Sequence, residues 1–167
     1  LKDLLVTNGF PRDITDMDFA NYRLQVQRYL SKEKLLDSIP IVKIENYSFK
    51  NNGDLTFQNV NKSWGLNSKS FSNGAIYSDL DADGDLDYVV NNINDKAFIF
   101  ENKASDKQNN FIQFKLNGNK GNPQAIGSKI VIRFTDGSFQ FHELYLSKGY
   151  MSSVDPLIHF GLGNQKN

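Results

Sequence analysis

The sequence predicts a mainly β protein, built of partial β-propeller blades with a helical insertion and followed by a small antiparallel β domain. Three observations carry this. Short runs of β-branched and aromatic residues recur between turn signals such as Asn52-Gly53 and Asp136-Gly137, and such runs fit the pleated, half-buried surface of a strand. Phe and Tyr number 13 and 7 against two Met, a bias toward residues that favour strands. Clear helical spacing is confined to residues 17–38.

Taken in order, the helical segment can be capped by Thr15 or Asp16. Phe19, Tyr22, Val26, Tyr29 and Leu30 recur at helical spacing and predict one apolar face packed on the domain. Lys32 to Ser38 predicts a second, shorter helix stopped by Pro40. Strands are expected at Tyr47–Lys50 and Asp54–Val60, joined through Asn51-Asn52-Gly53, because Asn-Gly between strand patterns signals a hairpin. Trp64 falls in the following loop, where a packing anchor is expected over a sugar platform. Ala75–Tyr77 and Tyr88–Val90 predict two more strands, and Lys96–Asn102 a further one. This four-strand rhythm is that of a propeller blade. The polar stretch 104–110 marks a boundary between residues 1–103 and a second domain at 109–163. Within the latter, Phe111–Leu116 alternates, Lys129–Phe134 and Phe139–Leu146 flank a turn at Thr135–Ser138, and a last strand runs through Leu157–Phe160.

Between two of the expected strands lies Asp79-Leu80-Asp81-Ala82-Asp83-Gly84-Asp85-Leu86-Asp87. Carboxylates this dense repel one another unless a cation sits among them. Hard oxygen ligands suit Ca²⁺, and a glycine at the sixth place lets the backbone turn around the ion. Mg²⁺ prefers fewer carboxylates and more water. The loop is not an EF-hand: its twelfth place is Val90, not Glu, and strands flank it rather than helices. The expected ligands are the side chains of Asp79, Asp81, Asp83 and Asp87, with Asp85 offering its backbone carbonyl. An ordinary solvated turn uses one or two Asp or Asn rather than an alternating series.

Composition removes several classes. The chain has 167 residues and no net charge, from 19 basic and 19 acidic residues. Outside the acidic loop, 19 basic residues face 14 acidic ones, but no basic run marks a nucleic-acid groove, and no nucleic acid is expected as a partner. The absence of cysteine excludes disulfides, thiolate metal sites and cysteine nucleophiles. No apolar run is long enough to span a membrane. His142 and His159 are the two histidines. No nucleophile elbow accompanies them, and His159 is expected to be fixed by a hydrogen bond. Gly161-Leu162-Gly163 lacks the strand-to-helix setting of a phosphate loop. Asp136 and Glu143 are expected as solvated charges of a hairpin. No catalytic residue is assigned.

A short repeat is visible: Asp3-Leu4-Leu5-Val6-Thr7-Asn8 echoes Asp87-Tyr88-Val89-Val90-Asn91-Asn92, 84 residues on. Asp3 thereby takes the place of the last ligand of an earlier loop, and the chain is expected to start inside a repeat. Phe71-Ser72-Asn73-Gly74-Ala75, the aspartate loop and the segment Tyr88–Asn92 together resemble an FG-GAP (VCBS-type) repeat. That resemblance implies a calcium-bearing β-propeller, with Asp79, Asp81, Asp83, Asp85 and Asp87 as the metal ligands. Ala125–Ile130, Gly149–Ser153 and His159–Gly163 resemble the ASPIC/UnbV domain. The combination resembles cartilage-acidic-protein-like envelope proteins of Bacteroidetes-type bacteria. It implies export to the cell surface, as an outer-membrane lipoprotein or into the periplasm, and an unidentified extracellular protein or glycan as partner. The expected function is calcium-stabilised binding or adhesion, without enzymatic activity. The alternatives are a glycan-binding or glycan-processing protein with its active blades outside this sequence, and an RNA-binding module.

Overall fold

The structure, a computed structural model, describes residues 2–9, 11–104 and 109–164. It is mainly β with two short helices, and its strands form small antiparallel sheets, none of them closed among the described residues. Residues 105–108, in the expected polar boundary, lie outside the described residues. By contacts the chain divides into two compact units, one of residues 1–73 with 91–96, the other of 74–90 with 97–167.

The first unit begins with β1 (Leu4–Val6), then α1 (Met17–Val26) and α2 (Lys32–Asp37), then β2 (Ile44–Glu45), β3 (Tyr47–Asn51), β4 (Phe57–Asn59) and β5 (Lys69–Ser70). Helix α1 starts where the Asp16 carboxylate accepts the Phe19 N–H at 2.7 Å, satisfying a donor that the first turn leaves open. Thr15 is not the cap; its hydroxyl donates to Asp13. The expected apolar face is only partly covered. Phe19 is buried, Val26 and Leu30 are half-buried, and Tyr22 and Tyr29 are exposed. The helix ends at Val26, so Tyr29 falls in the following turn, outside the helical register that the spacing presumed.

Strand β3 lies between β1 and β4. The β3–β4 connection is longer than an Asn-Gly pair requires, because Asp54 does not continue a strand. Its carboxylate accepts both the N–H and the hydroxyl of Thr56, a local turn that competes with the ladder. The strand expected from Asp54 therefore starts at Phe57. Trp64 is 41% exposed; its backbone N–H donates to Val60 O.

Apolar burial here is modest (Phe19, Ile39, Val60, Leu66) and a polar network complements it. Asn46 donates to Ser72 Oγ at 2.8 Å, and Ser72 Oγ donates to Asn92 Oδ1 at 2.8 Å. A hydroxyl has one proton, so the 2.6 Å contact between Ser70 Oγ and Ser72 Oγ is donated by Ser70. Asn8 adds its carbonyl to Ser72 N–H and its amide to Ile44 O and Ser70 O. Every one of these buried groups is partnered, which is what makes their desolvation tolerable.

Strands β6 (Ser72–Ser78), β7 (Asp87–Asn92) and β8 (Phe98–Phe100) form one sheet with β7 in the centre; most of it belongs to the second unit. That unit continues with β9 (Asn110–Lys115), β10 (Lys129–Arg133), β11 (Phe139–Glu143), β12 (Ser147–Gly149), β13 (Ser152–Ser153) and β14 (Leu157–Gly163). β14 pairs with β9, from Leu157 opposite Lys115 to Gly163 opposite Asn110, and β10 with β11. Alternation then aims Ile112, Phe114 and Leu116 inward, together with Ile130, Ile132, Leu144, Ile158, Phe160 and Leu162. Burying Leu144 or Ile158 contributes about 1.5–3 kcal/mol each relative to exposure. The β10–β11 turn is held as expected: Gly137 has φ 85°, and Asp136 accepts the N–H and hydroxyl of Ser138. The short β12–β13 pair had no signal in the sequence, since Ser and Gly dominate it.

Candidate metal centre

The acidic loop joins β6 to β7 at one end of their sheet. Local chemistry shapes it: three of the aspartates accept from a backbone N–H within the loop. Asp81 Oδ1 accepts from Asp83 N–H (3.3 Å), Asp83 Oδ1 from Asp85 N–H (3.0 Å), and Asp79 Oδ2 from Gly84 N–H (3.2 Å). The backbone enters the left-handed region at Ala82 (φ 62°) and Gly84 (φ 93°), and only glycine takes such angles without strain. A Cβ on Gly84 would also lie 1.8 Å from the Phe111 ring. Phe111 in turn stacks on His159, centroids 5.6 Å apart.

Asp79, Asp81 and Asp83 each offer a carboxylate oxygen, and the three atoms lie within 4.8 Å of one another. Asp85 and Asp87 are not part of that cluster; both are buried. The carboxylate of Asp87 is 3% exposed and accepts on both oxygens, from Leu80 N–H at 3.1 Å and from Asn102 N–H at 2.9 Å. Of the cluster, Asp79 Oδ1 is buried and accepts no hydrogen bond, so one lone-pair site is withdrawn from water with nothing to meet it. Partial desolvation, with the charges of Asp83 and Asp87, holds the Asp81 carboxyl above its ordinary range despite the opposing Asp83 N–H. Converging hard oxygens, mutual repulsion and an orphaned acceptor fit a hard divalent cation.

Asn102 was not marked by the sequence reading, although its role has a double. Asn102 N–H donates to Asp87 Oδ1 at 2.9 Å, and its side-chain amide reaches Leu86 O at 3.3 Å. In the first unit Asn51 N–H donates to Asp3 Oδ1 at 2.9 Å, and its amide reaches Lys2 O at 3.2 Å. In both places the strand after the aspartate pairs antiparallel with the strand before the asparagine, Leu4 opposite Phe49 and Tyr88 opposite Phe100. Phe49-Lys50-Asn51 and Phe100-Glu101-Asn102 carried this signal. Phe111 carried none, since nothing local ties it to Gly84.

The remaining candidates have structural settings. His159 is placed by Phe111 and by Gln113, 3.3 Å from its Nδ1; burial pushes its pKa down, against the pull of Asp79 and Asp85. His142 packs edge-on against Phe160. Glu143 faces Lys129 at 3.6 Å, an exposed pair of little energetic weight. Gly161-Leu162-Gly163 ends strand β14. Among the described residues no helix is long and apolar enough to cross a membrane.

A mainly β chain with a carboxylate cluster on an inter-strand loop is the class that fold and site define. Comparison with known proteins adds one finding: residues 118–167 match the family model described as ASPIC and UnbV, which agrees with the expectation for the C-terminal part. No curated protein and no solved structure matches the chain.

Proposed function

We propose that the chain is a calcium-binding repeat module of an exported or cell-surface protein, engaged in ligand binding or adhesion rather than catalysis. The observation that carries this is the convergence of the Asp79, Asp81 and Asp83 carboxylates with a buried, unpartnered oxygen on Asp79. These three residues would hold the ion, with Asp87 and the Asp85 carbonyl as further oxygens. Bound Ca²⁺ supplies positive charge where the loop has an excess of negative charge, and so couples metal affinity to folding. Residues 1–103 are read as FG-GAP-type repeat sequence forming part of a β-propeller, the helices being an insertion at 15–38, and 109–163 as the ASPIC/UnbV domain. Support for the repeat comes from the doubled Asp–Asn closure of β1–β3 and β7–β8.

Thermal melting with calcium and with chelator tests the reading. Calcium at about 100 times its Kd is expected to add about 2.7 kcal/mol, or about 5–10 °C for a chain of this size. Replacing Asp81 and Asp83 together by alanine is expected to abolish that shift. An unchanged midpoint in the parent, or an equal shift in the double variant, would refute it.

A further inference from the structure

Phe111 joins the acidic loop to a strand pair whose core it does not help to fill. Along β9, Ile112, Phe114 and Leu116 turn into the core, so alternation puts Phe111 on the other face, where it is 44% exposed. Opposite it on β14 stands Gly161, which offers no side chain to pack against. The ring leans instead on its diagonal neighbour His159, nearly parallel to it with centroids 5.6 Å apart; aromatic side chains have that reach across a ladder. The edge of the ring (Cε1, Cζ and Cδ1) fills the space that a side chain at position 84 would need.

From this contact the acidic cluster is one hydrogen bond away. Gly84 N–H donates to Asp79 Oδ2 at 3.2 Å, and Asp79 Oδ1 is the buried oxygen that accepts nothing. The Gly84 N–H therefore helps to fix how the Asp79 carboxylate is turned, and Phe111 bounds where Gly84 can sit. Repulsion among Asp79, Asp81 and Asp83 pushes the loop open, which draws Gly84 off the ring. A cation among these carboxylates removes that repulsion and holds Gly84 against it.

We propose that Phe111 is a positioning residue for the cation, and that the loop and the β9–β14 pair are thermodynamically linked through it. Ion binding steadies the two strands, and the ordered strands raise the loop's affinity by the same factor. The proposal rests on the calcium reading of the loop.

The full chain is titrated calorimetrically with Ca²⁺, and backbone hydrogen exchange is followed in β9, β14 and the loop with and without the ion. Calcium is expected to slow exchange in both strands of the parent. Phe111→Ala is expected to bind calcium about tenfold more weakly, and to lose the slowing in β9 and β14 while keeping it in the loop. Phe111→Leu returns part of the bulk and is expected to recover part of the affinity. Phe139→Ala removes another outward aromatic of the same unit, 64% exposed on β11, and is expected to change neither readout. A parent that binds no calcium would bring down the calcium reading and the linkage together. Equal affinity in the parent and in folded Phe111→Ala would overturn the linkage alone. So would calcium binding by the parent with no change of exchange in β9 and β14, a result that needs no variant to fold.

Discussion

Strand pairs β1–β3 and β7–β8 close on the same two hydrogen bonds, from an asparagine backbone to an aspartate side chain and from the asparagine amide to the carbonyl before that aspartate. Their surroundings differ. Asp3 is exposed and its Oδ1 meets one N–H, whereas Asp87 is buried and both of its oxygens are engaged. Ahead of Asp87 stands the carboxylate cluster. The lesson is that the clamp is a strand-closing device in its own right, made by one asparagine's backbone and side-chain donors. On the proposed reading, cation chemistry is an addition, contributed by Asp79, Asp81 and Asp83 beside one clamp. The buried Asp87 carboxylate makes two hydrogen bonds to backbone N–H groups, stronger than neutral ones when the acceptor is charged.

The largest test of that contrast removes the aspartates. Asp87→Ala leaves two part-buried N–H groups without their acceptor and is expected to cost about 3 kcal/mol, while Asp3→Ala at the exposed clamp is expected to cost about 1 kcal/mol. Chemical denaturation in chelator measures both. Equal losses would mean that burial does not distinguish the clamps. Next, Asn51→Ala and Asn102→Ala each delete one amide-to-carbonyl bond and keep the backbone donor. Similar losses of about 0.5–1.5 kcal/mol are expected, and a much larger loss at Asn102 would show that the acidic loop leans on it.

The last effect is a pH dependence that only one copy can have. Tyr88 follows Asp87 where Leu4 follows Asp3, and burial pushes the Tyr88 phenol up to about 12. A raised folded pKa favours the neutral phenol in the native state. Its contribution is intact below pH about 10, the unfolded value, and is lost as pH rises through the folded value. Tyr88→Phe is expected to flatten that alkaline limb, read by denaturation between those limits. A limb identical to the parent's would place the phenol in solvent.

Much of this was legible in the sequence where a periodic or local rule operates. Alternation in Phe111–Leu116 and Leu157–Phe160 marked β9 and β14, and Asp136-Gly137 marked their neighbouring hairpin, because side-chain period and turn chemistry are properties of a few adjacent residues. The aspartate series announced its loop for the same reason. What escaped depends on distant partners. Asn46, Ser70, Ser72 and Asn92 have no periodic signature, and their burial is tolerable only because each meets another. Tyr29 was read as core from spacing alone, but the helix stops before it. Asp54 has a competing bond to Thr56 that a hairpin rule ignores. Within the site, the triad was readable, but the roof that Phe111 forms over Gly84 was not.

The second unit is assembled from residues 74–90 and 97–167, with 91–96 belonging to the first. A ribosome therefore delivers the two in a fixed and overlapping order. Residues 1–73 and 91–96 of the first have all been made once residue 96 has emerged. By then the acidic loop is already outside, still waiting for Phe111 and for β9, whose partner β14 is made later still.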